Sequence, residues 1–94
     1  MSRFKIAHLN HQGTDMIIVP LDSGFGAKAW HEQNQAVSEL QVRATTASLR
    51  GTIVPVWDAG GGRMAFIAPQ PWHAFFQSVS LTWVWSNINK ELYW

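Results

Sequence analysis

Ninety-four residues without a single cysteine make one domain and exclude disulfides, iron–sulfur clusters, cysteine zinc ribbons and thiol nucleophiles. Seven Lys+Arg stand against six Asp+Glu, and only 14% of residues are charged, so bulk charge builds no polyanion-binding surface. A chain this short buries one modest core, which leaves no room for a large enclosed cofactor.

The chain opens on residues 3–9, where Phe4, Ile6 and His8 alternate with Lys5, Ala7 and Leu9, the pattern of a half-buried strand. The polar stretch Asn10-His11-Gln12-Gly13-Thr14-Asp15 is a turn, and the apolar run Met16-Ile17-Ile18-Val19, closed by Pro20, is a central strand buried on both faces. The two strands are close enough to form an antiparallel hairpin. Residues 21–26 form a loop with Asp22, Ser23 and two glycines. A helix is expected over 31–49, with Trp30, Val37, Leu40, Ala44 and Ala47 as its apolar stripe and Gly51 as a left-handed stop.

Thr52-Ile53-Val54-Pro55-Val56-Trp57 reads as a second apolar strand. Pro55 cannot donate to a ladder, so it requires a bulge or an N–H position facing away from the neighbouring strand. A glycine-rich turn over 58–62 leads to a returning strand over 63–68, and Pro69 and Pro71 then end regular structure. A short helix is expected over 72–78. From Ser80 two readings compete. In a helix capped by Ser80, Leu81, Val84, Trp85, Ile88 and Leu92 form one stripe; in a strand, Leu81, Trp83 and Trp85 share a face. The helix fits more residues, so a helix is expected. Ile18-Val19-Pro20-Leu21-Asp22 echoes Ile53-Val54-Pro55-Val56-Trp57-Asp58, and ordinary strand grammar accounts for the likeness.

The resulting order is strand, strand, helix, strand, strand, helix: a single α+β domain over residues 1–94, with a four-stranded mixed sheet in a two-layer sandwich. The helical crossover makes the second and third strands parallel neighbours. No window approaches the roughly 18 apolar residues of a spanning helix, and the first residues lack an export-signal run, so the cytoplasm is the expected compartment and no membrane partner is expected.

Six tryptophans are many for a core of this size. Trp83, Asn87, Lys90 and Trp94 fall on a second face of the C-terminal helix, with Tyr93 nearby. Trp83, Trp94 and Tyr93 are therefore the expected interface of a homo-oligomer, a dimer by preference.

Candidate chemistry is sparse. His8 and His11 form an H-x-x-H pair, but on a strand leading into a loop their rings point apart, and no metal or other cofactor is expected. Asp58-Ala59-Gly60-Gly61-Gly62-Arg63 has the glycines and the arginine of an anion nest, yet lacks the Lys-Ser/Thr of a phosphate loop and reads better as a hairpin turn. Asp22 and Asp58 both lie at the carboxyl ends of the predicted parallel strands. With His73 they form the sharpest enzymatic hypothesis, a hydrolase-like cleft, set against the plainer role of carboxylates that cap loops. Arg63, Trp57 and Trp72 are the expected ligand-binding residues. Arg3, Lys5, Arg43, Arg50 and Arg63 form no basic stripe, so direct nucleic-acid binding is not expected.

In size, in its hairpin–helix–hairpin–helix layout and in Ile53-Val54-Pro55-Val56-Trp57-Asp58 with Gly60-Gly61-Gly62-Arg63-Met64, the chain resembles the small proteins encoded by mobile integron gene cassettes. That resemblance implies a bacterial, cytoplasmic and often oligomeric domain, and carries no functional residue across. The function expected from the residues is that of a non-catalytic, self-associating module that binds a small ligand or a protein partner. The alternatives are the small enzyme built on Asp22, Asp58 and His73, and an antitoxin-like inhibitor.

Overall fold

A computed structural model describes residues 3–93. The chain runs β1 (Arg3–His11), β2 (Thr14–Pro20), a 3-10 turn (Ser23–Ala27), α1 (Trp30–Thr46), β3 (Thr52–Asp58), β4 (Met64–Phe66), a second 3-10 turn (Gln70–Trp72), α2 (His73–Gln77), α3 (Leu81–Ser86) and β5 (Lys90–Tyr93). The strands form one mixed sheet in the order β4-β3-β2-β1-β5. β2 and β3 are parallel, with Ile17 beside Ile53 and Ile18 beside Val54, and every other pairing is antiparallel. The α+β class, the parallel central pair and the α1 crossover agree with the sequence reading.

The strand count and the layering do not. The expected single C-terminal helix stops at Ser86, and residues 90–93 return as a fifth strand alongside β1. Local chemistry ends the helix: the Ser86 hydroxyl and the Asn87 amide both donate to the Trp83 carbonyl, each at 2.8 Å. The gain is a partner for the outer edge of β1, where Phe4 pairs with Leu92. Helices also cover both faces of the sheet instead of one. Ile6, Ile17, Val19, Ile53 and Leu92 pack with Leu40 and Ala44 of α1. On the other face Ala7, Met16, Ile18, Val54 and Val56 pack with Phe76 of α2 and Val84 of α3. Alternation along β2 and β3 sends apolar side chains both ways, so each face needs a cover. Fully burying one such side chain contributes about 1.5–3 kcal/mol.

The β1–β2 hairpin closes through Gln12 and Gly13, both left-handed at φ 51° and 80°, a two-residue turn whose twist matches the strands. The Pro55 carbonyl accepts from the Ile67 N–H at 3.1 Å, on the β4 side of β3, whereas the Val56 carbonyl faces β2 and accepts from Leu21 at 2.8 Å. The missing Pro55 N–H thus faces away from β2, and the parallel ladder loses nothing. On that same outer edge, Gln41 of α1 takes the place of a strand: its amide donates to the Gly51 carbonyl and accepts from the Ile53 N–H, each at 3.0 Å.

α1 occupies nearly the expected span. Its stripe is narrower than expected: Leu40 and Ala44 are buried and Val37 is half-buried, but Trp30 is 78% exposed at the first turn. The left-handed stop is Ser48, at φ 61°, rather than Gly51. Gly51, at φ 128°, has a different constraint, since a Cβ there would lie 2.9 Å from the Asp15 carbonyl. Among the described residues no helix is long and apolar enough to cross a membrane.

Candidate ligand-binding cleft

The β2 strand ends at Pro20, and the chain turns over the sheet through Leu21 and Asp22 into the 3-10 turn, whose one buried residue is Phe25. α1 then crosses back above this edge. Between turn, helix and the first residues of β1 lies a partly enclosed cavity of about 220 Å³, lined by Phe4, Leu21, Phe25, Ala36 and Leu40, with Asp22, Lys28 and Glu39 as its charged residues. The Asp22 carboxylate is oriented by the Gly24 N–H, which donates to Oδ1 at 3.1 Å. The cleft sits at the carboxyl end of a strand that enters a helical crossover, the position where open α/β sheets leave a crevice. Its volume is below the roughly 300–1,000 Å³ of drug-sized pockets, which sets the scale of a ligand.

The expected catalytic residues are only partly brought together. Asp22 and Asp58 both lie at the carboxyl ends of the parallel pair, as read. Asp22, however, lines the cleft under α1, whereas Asp58 lines a separate open depression with Ser23, Gly26 and Trp57. His73 lies in α2, on the side of the second core, where its Nε2–H donates to the Ala68 carbonyl at 2.9 Å and its ring meets Phe66 edge-on at 5.4 Å. Both carboxylates are engaged by nearby backbone, since Asp58 accepts from the Gly60 N–H at 2.7 Å. In the turn over 58–63 the glycines at 60, 61 and 62 are all left-handed, and the chain's own Asp58 supplies an anion to this backbone.

The expected ligand-binding trio is dispersed. Trp57 is buried against Phe25, ring centroids 5.0 Å apart, and Trp72 is half-buried in the second core. Arg63 is exposed at the hairpin. The H-x-x-H rings part as expected: His8 Nε2–H donates to the Arg50 carbonyl at 2.7 Å, and His11 rests on Phe75 at 4.4 Å. Among the described residues no three His, Asp or Glu side chains gather as a metal would need.

At the expected interface, Tyr93 is 63% exposed, and Trp94 lies outside the described residues. Trp83 does find a place in the core: it is half-buried, edge-on to Phe75 at 5.8 Å. Trp85, assigned by periodicity to the core stripe, is instead 52% exposed.

Sequence reasoning placed Asp22 on this edge but missed Phe4, Phe25, Lys28 and Glu39. They come from distant segments with no shared spacing, and the only signal was their neighbourhood to the end of a strand buried on both faces. Compared with family models, curated proteins and solved structures, the chain gives no match.

Proposed function

We propose that the chain is a non-catalytic binding module that seats a small ligand in the cleft between the Ser23–Ala27 turn and α1. The carrying observation is that cavity of about 220 Å³, lined by buried and half-buried apolar residues together with three exposed charged ones, Asp22, Lys28 and Glu39. Apolar walls with a few convergent polar groups are what small-ligand sites are made of. The carboxylates and His73 proposed for catalysis each serve local structure, which favours binding over reaction. The test is two-dimensional amide NMR with a library of fragments of about ten heavy atoms or fewer, a size set by the small cavity. Shifts should centre on Leu21, Asp22, Phe25 and Leu40, and Ala36→Leu, which fills the cleft, should abolish them. Shifts elsewhere, or binding that survives Ala36→Leu, overturn the proposal.

A second reading, self-association, is favoured by the edge of the sheet. β5 is the outermost strand beyond β1, and Tyr93 on it and Trp85 just before it are large exposed aromatics. An open strand edge beside exposed aromatic surface suits pairing with a second copy. Light scattering should give a dimer mass that falls to the monomer in the Trp85→Ser, Tyr93→Ser double variant. A monomer at high concentration refutes this reading.

A further inference from the structure

Resting on the small-ligand reading of the cleft, we propose that its ligand is a small amine: an apolar, preferably aromatic body carrying one ammonium group. The apolar lining determines the body. Phe4, Leu21, Phe25, Ala36 and Leu40 offer no side-chain hydrogen-bonding atom, so the inserted part must be apolar, and a lining that includes two phenyl side chains suits an aromatic body. The charged residues determine the head. Among the described lining residues two carboxylates, Asp22 and Glu39, stand against one ammonium, Lys28, so these side chains together carry net negative charge. The Asp22 carboxylate is oriented before any ligand arrives, because Oδ1 is held by the Gly24 N–H. Its other oxygen has no protein partner among the described residues, which leaves it available to accept from an ammonium group. Lys28 opposes a cation and is the residue whose removal should tighten binding.

The probes are 2-phenylethylamine, 2-phenylethanol and phenylacetate, of similar body and differing in head charge, titrated into the full chain by amide NMR. The amine should bind at the cleft about tenfold more tightly than the alcohol, and the acid most weakly, the margin of one charge-assisted hydrogen bond. Asp22→Asn and Glu39→Gln should each weaken the amine and leave the alcohol unchanged. Lys28→Ala should strengthen the amine. Glu39→Gln leaves the turn cap intact, so it reports even if Asp22→Asn disturbs the turn. Equal binding of the three probes at the cleft, or preference for the acid, overturns the amine proposal and leaves the binding module standing. No shift at the cleft with any probe overturns both.

Discussion

The side chain of Asn89 pairs with both backbone groups of His8: Oδ1 accepts from the His8 N–H and Nδ2 donates to the His8 carbonyl, each at 2.9 Å. Its own N–H donates to the Ile6 carbonyl at 3.1 Å. A side-chain amide thus stands in for a peptide group and extends the β1–β5 ladder one step beyond Lys90, where the chain still turns away toward α3. Gln41 does the same for the open edge of β3.

Removing that amide is the direct test of how β5 is held. Asn89→Ala should cost about 1–2 kcal/mol, since two exposed hydrogen bonds are partly replaced by water, and lower Tm by roughly 5–10 °C. Asn89→Asp keeps the acceptor but sets a carboxylate against the His8 carbonyl, and should be no better than alanine. Hydrogen exchange should show the His8 and Leu92 amides losing protection first. Unchanged stability in both variants would mean that β5 is held by Leu92 packing alone.

Gly26 is the second constrained contact. A Cβ there would meet Trp57 Nε1 at 2.6 Å and Cδ1 at 3.2 Å, and Trp57 is itself packed edge-on to Phe25. Gly26→Ala should destabilise by about 1–3 kcal/mol, the usual cost of overpacking. Trp57→Phe removes Nε1, the closer of the two clashing atoms, so the double variant should recover part of the loss, and the coupling is measurable as a double-mutant cycle. Strict additivity in urea denaturation would refute the contact.

How far the sequence carried this fold depends on whether local and distant demands coincide. The runs at Met16–Val19 and Ile53–Trp57 can only be interior strands, and they are. Burial on both faces of Met16–Val19 also implied helices on both sides of the sheet, a consequence that a two-layer sandwich contradicts. The C-terminal strand was hidden because Leu81, Val84, Ile88 and Leu92 satisfy helical spacing, while Leu92 gains its burial from Phe4, at the other end of the chain. The cleft was legible only at Asp22. Its other lining residues meet through the β2–α1 connection and share no spacing that a motif search could find.

Ser48 is a non-glycine residue held at φ 61°. The last turn of α1 closes around it, with Leu49 N–H donating to the Ala44 carbonyl at 2.9 Å and Ser48 N–H to the Thr45 carbonyl at 3.0 Å. This is the Schellman arrangement, in which glycine is the favoured residue. Ser48→Gly should therefore stabilise by about 0.5–1 kcal/mol, the left-handed penalty less glycine's extra unfolded-state entropy. Ser48→Val, β-branched at positive φ, should destabilise. If glycine gives no gain in thermal unfolding, the serine does not hold this conformation in solution.

At its other end α1 starts without a cap. Ala29 is extended at φ −62°, ψ 151°, the geometry of an N-cap residue, but has no oxygen to offer the free N–H groups of the first turn. Glu32 already stands three residues on. Ala29→Ser would complete a reciprocal capping box: the serine hydroxyl accepts from the Glu32 N–H while the Glu32 carboxylate accepts from the residue 29 N–H. The expected gain is about 1 kcal/mol, or roughly 4–8 °C in Tm for a domain of this size. Ala29→Ser in a Glu32→Ala background should keep only part of the gain, because one of the two bonds is then missing. An equal gain in both backgrounds would limit the effect to the hydroxyl alone, and no gain in either would show that the first turn of α1 is frayed up to the Trp30 indole.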